Sequence, residues 1–149
     1  MTIEFEVLDD LISPGMQDYV ERTVTDKTFP WFYLPSVSLD DKEKDPFTGF
    51  THTTFNDEGF KGEYSDMLFP ILYSALGDIE MKRLYRIRLG MFIKEQNPGD
   101  HKEHVDQPEH IHKTMLYYIN DADGDTYFFD EKDKKTVIHR ETPKRGRCV

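Results

Sequence analysis

The spacing of apolar residues changes near the middle of the chain, from helical in the first half to alternating in the second. Residues 3–8 (IEFEVL) alternate apolar and polar side chains, as a short strand does. Ser13 and Pro14 then match the N-cap and the first position of a helix. The residues that would share one face of this helix are Met16, Tyr19, Val20 and Thr23. The chain therefore begins with a predicted strand and an amphipathic helix.

A second helix is predicted over residues 63–76, where apolar residues recur at helical spacing and Gly77 follows as the stop. Its apolar positions are Met67, Leu68, Ile71, Leu72 and Leu76. Pro70 falls inside this stretch and would kink the helix or delay its start. Between the two helices, residues 29–37 are aromatic and extended, and residues 38–62 form a long polar excursion. We interpret this excursion as a lid or substrate loop, because excursions of such length are often functional.

The second half of the chain predicts short strands separated by turns. The strands are predicted at residues 83–93, 113–120, 126–131 and 134–141, with a last one starting at Arg147. Helices followed by short strands with turns between them are typical of an α+β protein built on an antiparallel barrel or jelly roll.

The length and charge of the chain limit the number of domains and the kinds of partner that we expect. We expect a single domain over residues 1–149, with a helical and lid part over residues 1–80 and a sheet core over residues 81–149. The formal net charge of −10 repels phosphate backbones and argues against a nucleic-acid partner. One cysteine, Cys148, excludes an intramolecular disulfide and fits a reducing compartment. The sequence shows no signal pattern and no apolar run of about 20 residues, so we expect a cytoplasmic protein without a membrane partner.

The stretch from His101 to Lys113 holds four of the six histidines, and its tripeptide His104-Val105-Asp106 is a candidate metal site. On a strand, residues i and i+2 point to the same face, so the imidazole and the carboxylate would converge. Two more ligands would close a zinc site, and one more histidine would complete the facial set that holds non-haem Fe(II). A solvated, charged turn is the alternative interpretation of the same residues.

The order of motifs around this tripeptide resembles the Fe(II)- and 2-oxoglutarate-dependent oxygenases, in particular the prolyl-4-hydroxylase-like branch and its phage and marine bacterial relatives. The tripeptide is followed by YYIN (residues 117–120), by a DGDT turn (residues 123–126) before an aromatic strand, and by a PKRGR turn (residues 143–147). The family has an HxD pair, a YYLN-type strand, a GGxT-like turn and a Pro-Lys-x-Gly-Arg turn in that order. The resemblance covers about residues 83–149. It implies a double-stranded β-helix (jelly roll) with N-terminal helices packed on it.

The resemblance also implies an activity and roles for five residues. The activity is the oxidative decarboxylation of 2-oxoglutarate coupled to hydroxylation of an unactivated C–H bond in a small-molecule or peptide substrate, such as a prolyl residue, with ascorbate as a further cofactor. His104 and Asp106 match the first two iron ligands, and Tyr118 matches a tyrosine that hydrogen-bonds a 2-oxoglutarate carboxylate. Thr114 would share the face of Tyr118 and line the cosubstrate cavity, and His112 would face the substrate. Without the HxD pair, Tyr118 would be interpreted as a core tyrosine.

Two family features have no counterpart in this sequence. The family's third iron ligand, a histidine on the strand after the PKRGR turn, is missing, and so is the Arg or Lys that pairs with the far carboxylate of 2-oxoglutarate. His139 precedes that turn and does not match the ligand position. We therefore expect a truncated reading frame or fragment that lacks the last strands, with an open sheet edge through which a homodimer would form. The alternative function is a degenerate, non-catalytic jelly-roll domain that acts as a binding or interaction module.

The remaining polar residues near the candidate site are interpreted as structural or solvated. Arg86 and Arg88 are predicted to face solvent on a half-exposed strand, rather than to bind a carboxylate. His101 and His110 are interpreted as loop residues. Cys148 is predicted to be a buried structural thiol, because no base lies at a readable spacing from it.

Overall fold

The computed structural model describes residues 5–36, 47–94, 99, 101, 103–106, 109–130 and 132–149. These residues form an α+β fold with two helices and antiparallel sheets, in the order α1 (Pro14–Thr25), β1 (Phe32–Leu34), β2 (Gly49–Asn56), β3 (Gly59–Phe60), α2 (Ser65–Leu76), β4 (Ile87–Met91), β5 (Thr126–Phe129) and β6 (Val137–Glu141). The chain divides into two compact units. The terminal unit comprises Met1–Lys27, Asp66–Glu80 and Gln107–Val149, and the central unit comprises Thr28–Ser65 and Met81–Asp106.

Helix α1 starts where the sequence predicts it. The Ser13 hydroxyl accepts a hydrogen bond from the backbone N–H of Met16 at 3.4 Å, which caps the first turn. The buried positions of α1 are Gln17, Val20 and Val24. Tyr19 is 51% exposed, so the predicted face was wrong by a small rotation of the helix. A polar residue can occupy the buried face because the Gln17 amide donates to the Ile12 carbonyl at 3.0 Å.

Helix α2 begins at Ser65, two residues later than predicted, and ends at Leu76. Gly77 follows with a φ of +52°, a left-handed conformation that suits glycine at a helix end. Pro70 is exposed and lies inside the helix, five residues after its first residue, so it does not delay the start of α2. The buried apolar residues of α2 are Met67, Leu68, Ile71 and Leu72, as the helical spacing predicted.

The last two residues, Cys148 and Val149, form backbone hydrogen bonds with two different segments of the chain. Cys148 exchanges two backbone hydrogen bonds with Leu8, and Val149 exchanges two with Leu116. The predicted strands at residues 3–8 and 113–120 are therefore reduced to this short pairing, and residues 1–4 lie outside the described residues. Cys148 is buried, as predicted, and burial raises the pKa of its thiol to about 11.

The PKRGR turn requires its glycine. Gly146 has a φ of +80°, and a Cβ at this position would lie 2.7 Å from Nε2 of Gln17. Its N–H donates to the Tyr118 carbonyl at 3.0 Å, so the turn returns the chain to the segment before β5. Strands β5 and β6 pair antiparallel and confirm the two strands that the sequence predicts there, with shorter bounds.

The sheet of the central unit is built around β2, which pairs antiparallel with β1, β3 and β4. The interpretation of residues 38–62 as an excursion was wrong for its described part, because residues 49–56 form the longest described strand. Residues 38–46 lie outside the described residues. The strand was missed because two of its inward positions, His52 and Thr54, are polar although both are buried.

The α+β class is confirmed, whereas the jelly roll, the single domain and its division at residue 80 stay predictions. No helix among the described residues is long and apolar enough to cross a membrane.

Candidate metal and carboxylate site

The side chains of His104 and Asp106 converge in the central unit, although residues 103–106 lie outside any helix or strand. Nε2 of His104 is 3.7 Å from Oδ1 of Asp106, and the two side chains are 50% and 29% exposed. Two donor atoms that share one ion at about 2.0–2.2 Å are at most about 4.4 Å apart. The separation therefore suits one shared cation, and an imidazole nitrogen with a carboxylate oxygen is a donor set that Fe(II) accepts. These two residues fit the metal as its first two ligands.

Two arginines surround the same carboxylate. Nη2 of Arg86 lies 2.8 Å from Oδ1 of Asp106, and Nη2 of Arg88 lies 4.0 Å from it. Arg86 is half-buried and Arg88 is exposed, so both keep access to solvent as predicted, but both also lie near a carboxylate. Arg86 directly precedes β4 and Arg88 is its second residue, so the two side chains lie two residues apart along the chain.

The described part of this cluster contains two guanidinium groups beside one carboxylate. Burial and the neighbouring Arg86 lower the pKa of the Arg88 guanidinium below its usual range, and the Asp106 carboxylate opposes that shift. A guanidinium stays protonated in proteins, so both arginines compete with a cation for the Asp106 carboxylate. A metal ion that binds Asp106 therefore has to displace an arginine or approach from another side.

A third metal ligand beside this pair is not found among the described residues. Within the part of the chain that the structure describes, no group of three or more His, Cys, Asp or Glu side chains is placed to hold a metal ion. The remaining members of the histidine-rich stretch differ in setting. His110 is exposed, and Nδ1 of His112 lies 2.8 Å from the His110 carbonyl oxygen.

The predicted cosubstrate residues lie in the terminal unit. The Tyr118 hydroxyl donates to Oγ1 of Thr126 at 2.9 Å, which joins the YYIN segment to the last residue of the DGDT turn. Burial raises the pKa of the Tyr118 hydroxyl above its usual range, so this group stays a donor at neutral pH. Thr114 is exposed, whereas His112 is half-buried like Tyr118. Thr114 does not follow the period-two expectation, because residues 111–116 form no strand.

A second pair of histidine and carboxylate was missed by the sequence interpretation. His139 and Glu141 are two residues apart on β6, and Nε2 of His139 lies 3.1 Å from Oε2 of Glu141. The other carboxylate oxygen of Glu141 accepts from Nη1 of Arg147 at 2.6 Å, and Arg147 also donates twice to Asp9. The signal was present in the sequence HRE, which has the same spacing as HVD on a predicted strand.

A buried histidine in the central unit was also missed. Nδ1 of His52 lies 2.9 Å from the Pro30 carbonyl oxygen, which can only accept, so Nδ1 carries the proton. Nε2 is buried with no hydrogen-bond partner, and the ring lies against Phe29 and Tyr64. His52 acts as a core aromatic residue of β2, and its sequence context, FTHTTF, gives no signal of that.

Comparisons with protein-family models, with curated proteins and with solved structures found no match to this chain.

Proposed function

We propose that this chain is an Fe(II)- and 2-oxoglutarate-dependent dioxygenase domain that hydroxylates an unactivated C–H bond, such as that of a prolyl residue. The observation that carries the proposal is the 3.7 Å separation between Nε2 of His104 and Oδ1 of Asp106. The hydrogen bond between Tyr118 and Thr126 supports it, because it joins two further segments of the motif series. The α+β class and the antiparallel sheets are compatible with a double-stranded β-helix, which is part of the proposal.

Each named residue has a role in this proposal. His104 and Asp106 hold the iron, Tyr118 and Thr114 contact 2-oxoglutarate, and His112 faces a small-molecule or peptide substrate. Bound Fe(II) would activate dioxygen and couple the oxidative decarboxylation of 2-oxoglutarate to the hydroxylation, with ascorbate as a further cofactor. The protonated hydroxyl of Tyr118 would donate to a cosubstrate carboxylate in place of Thr126. The protein would work in the cytoplasm without a nucleic-acid or membrane partner.

An anaerobic titration with Fe(II) and 2-oxoglutarate tests the proposal. The parent protein is expected to develop the visible charge-transfer band of iron with the 2-oxo acid, and His104→Ala is expected to abolish it. His110→Ala is the matched control, because it removes an exposed histidine of the same stretch and should leave the band unchanged. A parent protein without the band, or a band that survives His104→Ala, would contradict the proposal.

The second candidate function is a non-catalytic jelly-roll domain that binds a partner or a metal. The 2.8 Å contact between Arg86 and Asp106 favours it, because that contact neutralises a carboxylate that iron would need. A homodimer through a sheet edge belongs to this candidate. Since Cys148 and Val149 already pair on two sides, such a dimer would use another edge, such as that of the β5–β6 sheet. Metal binding without the charge-transfer band would support this candidate over the enzyme.

A further inference from the structure

The segment that carries the metal pair depends on side-chain contacts for its position. Residues 103–106 form no helix or strand, so regular backbone pairing does not fix His104 and Asp106 relative to the sheet. When the ligands of an ion lie on an unordered segment, binding has to order that segment, and this cost weakens the affinity. Contacts that order the segment beforehand therefore strengthen the binding of the ion.

The imidazole ring of His101, three residues before His104, contacts two phenylalanine rings. The ring centroids of His101 and Phe47 are 4.6 Å apart, and those of His101 and Phe92 are 5.4 Å apart. The interplanar angles are 47° and 59°, and tilted pairs at this spacing attract each other. Phe47 lies two residues before β2, and Phe92 directly follows β4, which pairs with β2. Two paired strands of the central unit thus hold the His101 ring, and we call these three residues the aromatic anchor.

The same segment contacts Phe47 a second time, at Gly99. A Cβ at Gly99 would lie 2.8 Å from Cζ of Phe47, so the backbone there lies directly against the ring. Phe47 therefore restrains the chain at two positions that are two residues apart. A chain of three residues spans at most about 11 Å, so the anchor limits where His104 can lie.

A further contact of this segment, the 2.8 Å ion pair between Arg86 and Asp106, cannot do the same work when an ion is bound. It uses the carboxylate that the ion would take, so the ion and the guanidinium compete for it. The aromatic anchor uses no donor atom of the metal pair. Its contacts therefore remain when an ion binds His104 and Asp106.

We propose that His101 is a positioning residue of the metal site: its ring, held by Phe47 and Phe92, orders residues 103–106 so that His104 and Asp106 can share one ion. The proposal rests on the metal pair of the proposed function. It assigns His101 a packing role and no bond to the ion, in keeping with the finding that no three described His, Cys, Asp or Glu side chains are placed to hold one.

Titration with Mn(II), followed by the electron paramagnetic resonance signal of the free ion, tests the role of the ring. His101→Ala is expected to bind Mn(II) about fivefold more weakly than the parent, because the aromatic contacts are lost. His101→Phe keeps a ring but no nitrogen, and it is expected to bind Mn(II) as the parent does. If His101→Phe binds as weakly as His101→Ala, the imidazole nitrogen is what matters, and the packing role is overturned.

The same titration tests Phe92 against a matched control. Phe92 is 63% exposed, and Phe60, which contacts Phe55 in the same unit, is 61% exposed. Phe92→Ala is expected to weaken Mn(II) binding about fivefold, as His101→Ala does, whereas Phe60→Ala should leave it unchanged. Equal affinities in Phe92→Ala and Phe60→Ala would overturn the inference. Circular dichroism establishes that each variant is folded.

A measurement without metal separates this inference from the proposed function. In protein labelled with ¹³C at its histidines, NMR signals of the rings are assigned with His101→Phe and His104→Gln. Phe92→Ala is expected to shift the signals of both His101 and His104, and Phe60→Ala neither. A His104 signal that stays in place while that of His101 moves overturns the positioning role. If both move but the parent binds no Mn(II), the ordering of the segment stands, and the metal site of the proposed function is refuted.

Discussion

The terminal and central units each contain a histidine two residues before a carboxylate, and the two pairs differ in what surrounds them. The HVD pair (His104 and Asp106) lies outside any strand, with side chains 50% and 29% exposed. The HRE pair (His139 and Glu141) lies on β6, with side chains 27% and 8% exposed. The HRE pair, which the sequence interpretation missed, thus has the shorter separation, 3.1 Å against 3.7 Å.

The partners of each carboxylate explain the difference in role. Glu141 is held by Arg147, which is itself held by Asp9, and the ring of His139 stacks on Phe5 at 4.8 Å. Among the described residues, these contacts join β6 to residues near the start and the end of the chain. The HVD pair instead lies beside two arginines, with Nη2 of Arg86 2.8 Å and Nη2 of Arg88 4.0 Å from Oδ1 of Asp106. The same spacing of histidine and carboxylate therefore occurs in two different electrostatic surroundings.

The largest expected effect comes from replacing Glu141 with Gln. Glutamine keeps the shape of the side chain but removes the charge that faces Arg147 and His139 at a position that is 8% exposed. Removing one partner of a buried ion pair costs about 3–5 kcal/mol, and Asp9 remains as a partner for Arg147, so we expect a loss of about 3 kcal/mol in the free energy of unfolding. Urea denaturation followed by circular dichroism measures it.

The matched variant in the other pair is Asp106→Asn. This carboxylate is 29% exposed, and half-exposed ion pairs contribute at most about 1 kcal/mol, so the free energy of unfolding is expected to change by less than that. Similar losses in the two variants would mean that both pairs are structural, and the contrast between them would fail.

The sequence predicted the elements whose signals are local. The N-cap at Ser13, the stop at Gly77 and the two strands β5 and β6 each depend on a few adjacent residues, and the structure confirms all three. Strand β2 was missed because its stability comes from three partner strands, one of which lies more than thirty residues away, as the contact from Thr51 to the Leu89 carbonyl shows. Its buried threonine and histidine resemble loop residues until those partners are known.

The candidate site likewise has one contact that its local spacing predicted and one that depends on the fold. The convergence of His104 and Asp106 could be predicted from their spacing, although the reason given, a shared strand, was wrong for the described residues. The pairing of Asp106 with Arg86 could not be predicted, because it joins residues far apart in the sequence through the fold. The roles of Tyr118, Thr114 and His112 stay predictions.

A smaller effect is expected from the two histidines themselves. His139→Gln removes the stack on Phe5 and the contact with Glu141, and an aromatic pair contributes about 1 kcal/mol to the free energy of unfolding. His104→Gln changes a 50% exposed side chain and is expected to stay within about 0.5 kcal/mol of the parent. Both are measured by urea denaturation under identical conditions. If His104→Gln is the more destabilising of the two, the HVD pair is the structural one and the assignment is reversed.

The smallest expected effect is on the free energy of unfolding at acidic pH, and it concerns Asp9, the partner of Arg147. Hydrogen bonds from Arg147 lower the pKa of the Asp9 carboxyl below its usual range, although its burial opposes the shift. A carboxyl with a lowered pKa in the folded state contributes stability above its unfolded pKa of about 3.9, and this contribution is lost as the pH falls through the folded value. Asp9→Asn is therefore expected to flatten the loss of stability below about pH 4, as measured by urea midpoints across that range. If the slope is unchanged in Asp9→Asn, the charge of the Arg147 network does not hold the HRE pair in place. The stacking of His139 on Phe5 would then be the interaction that holds it.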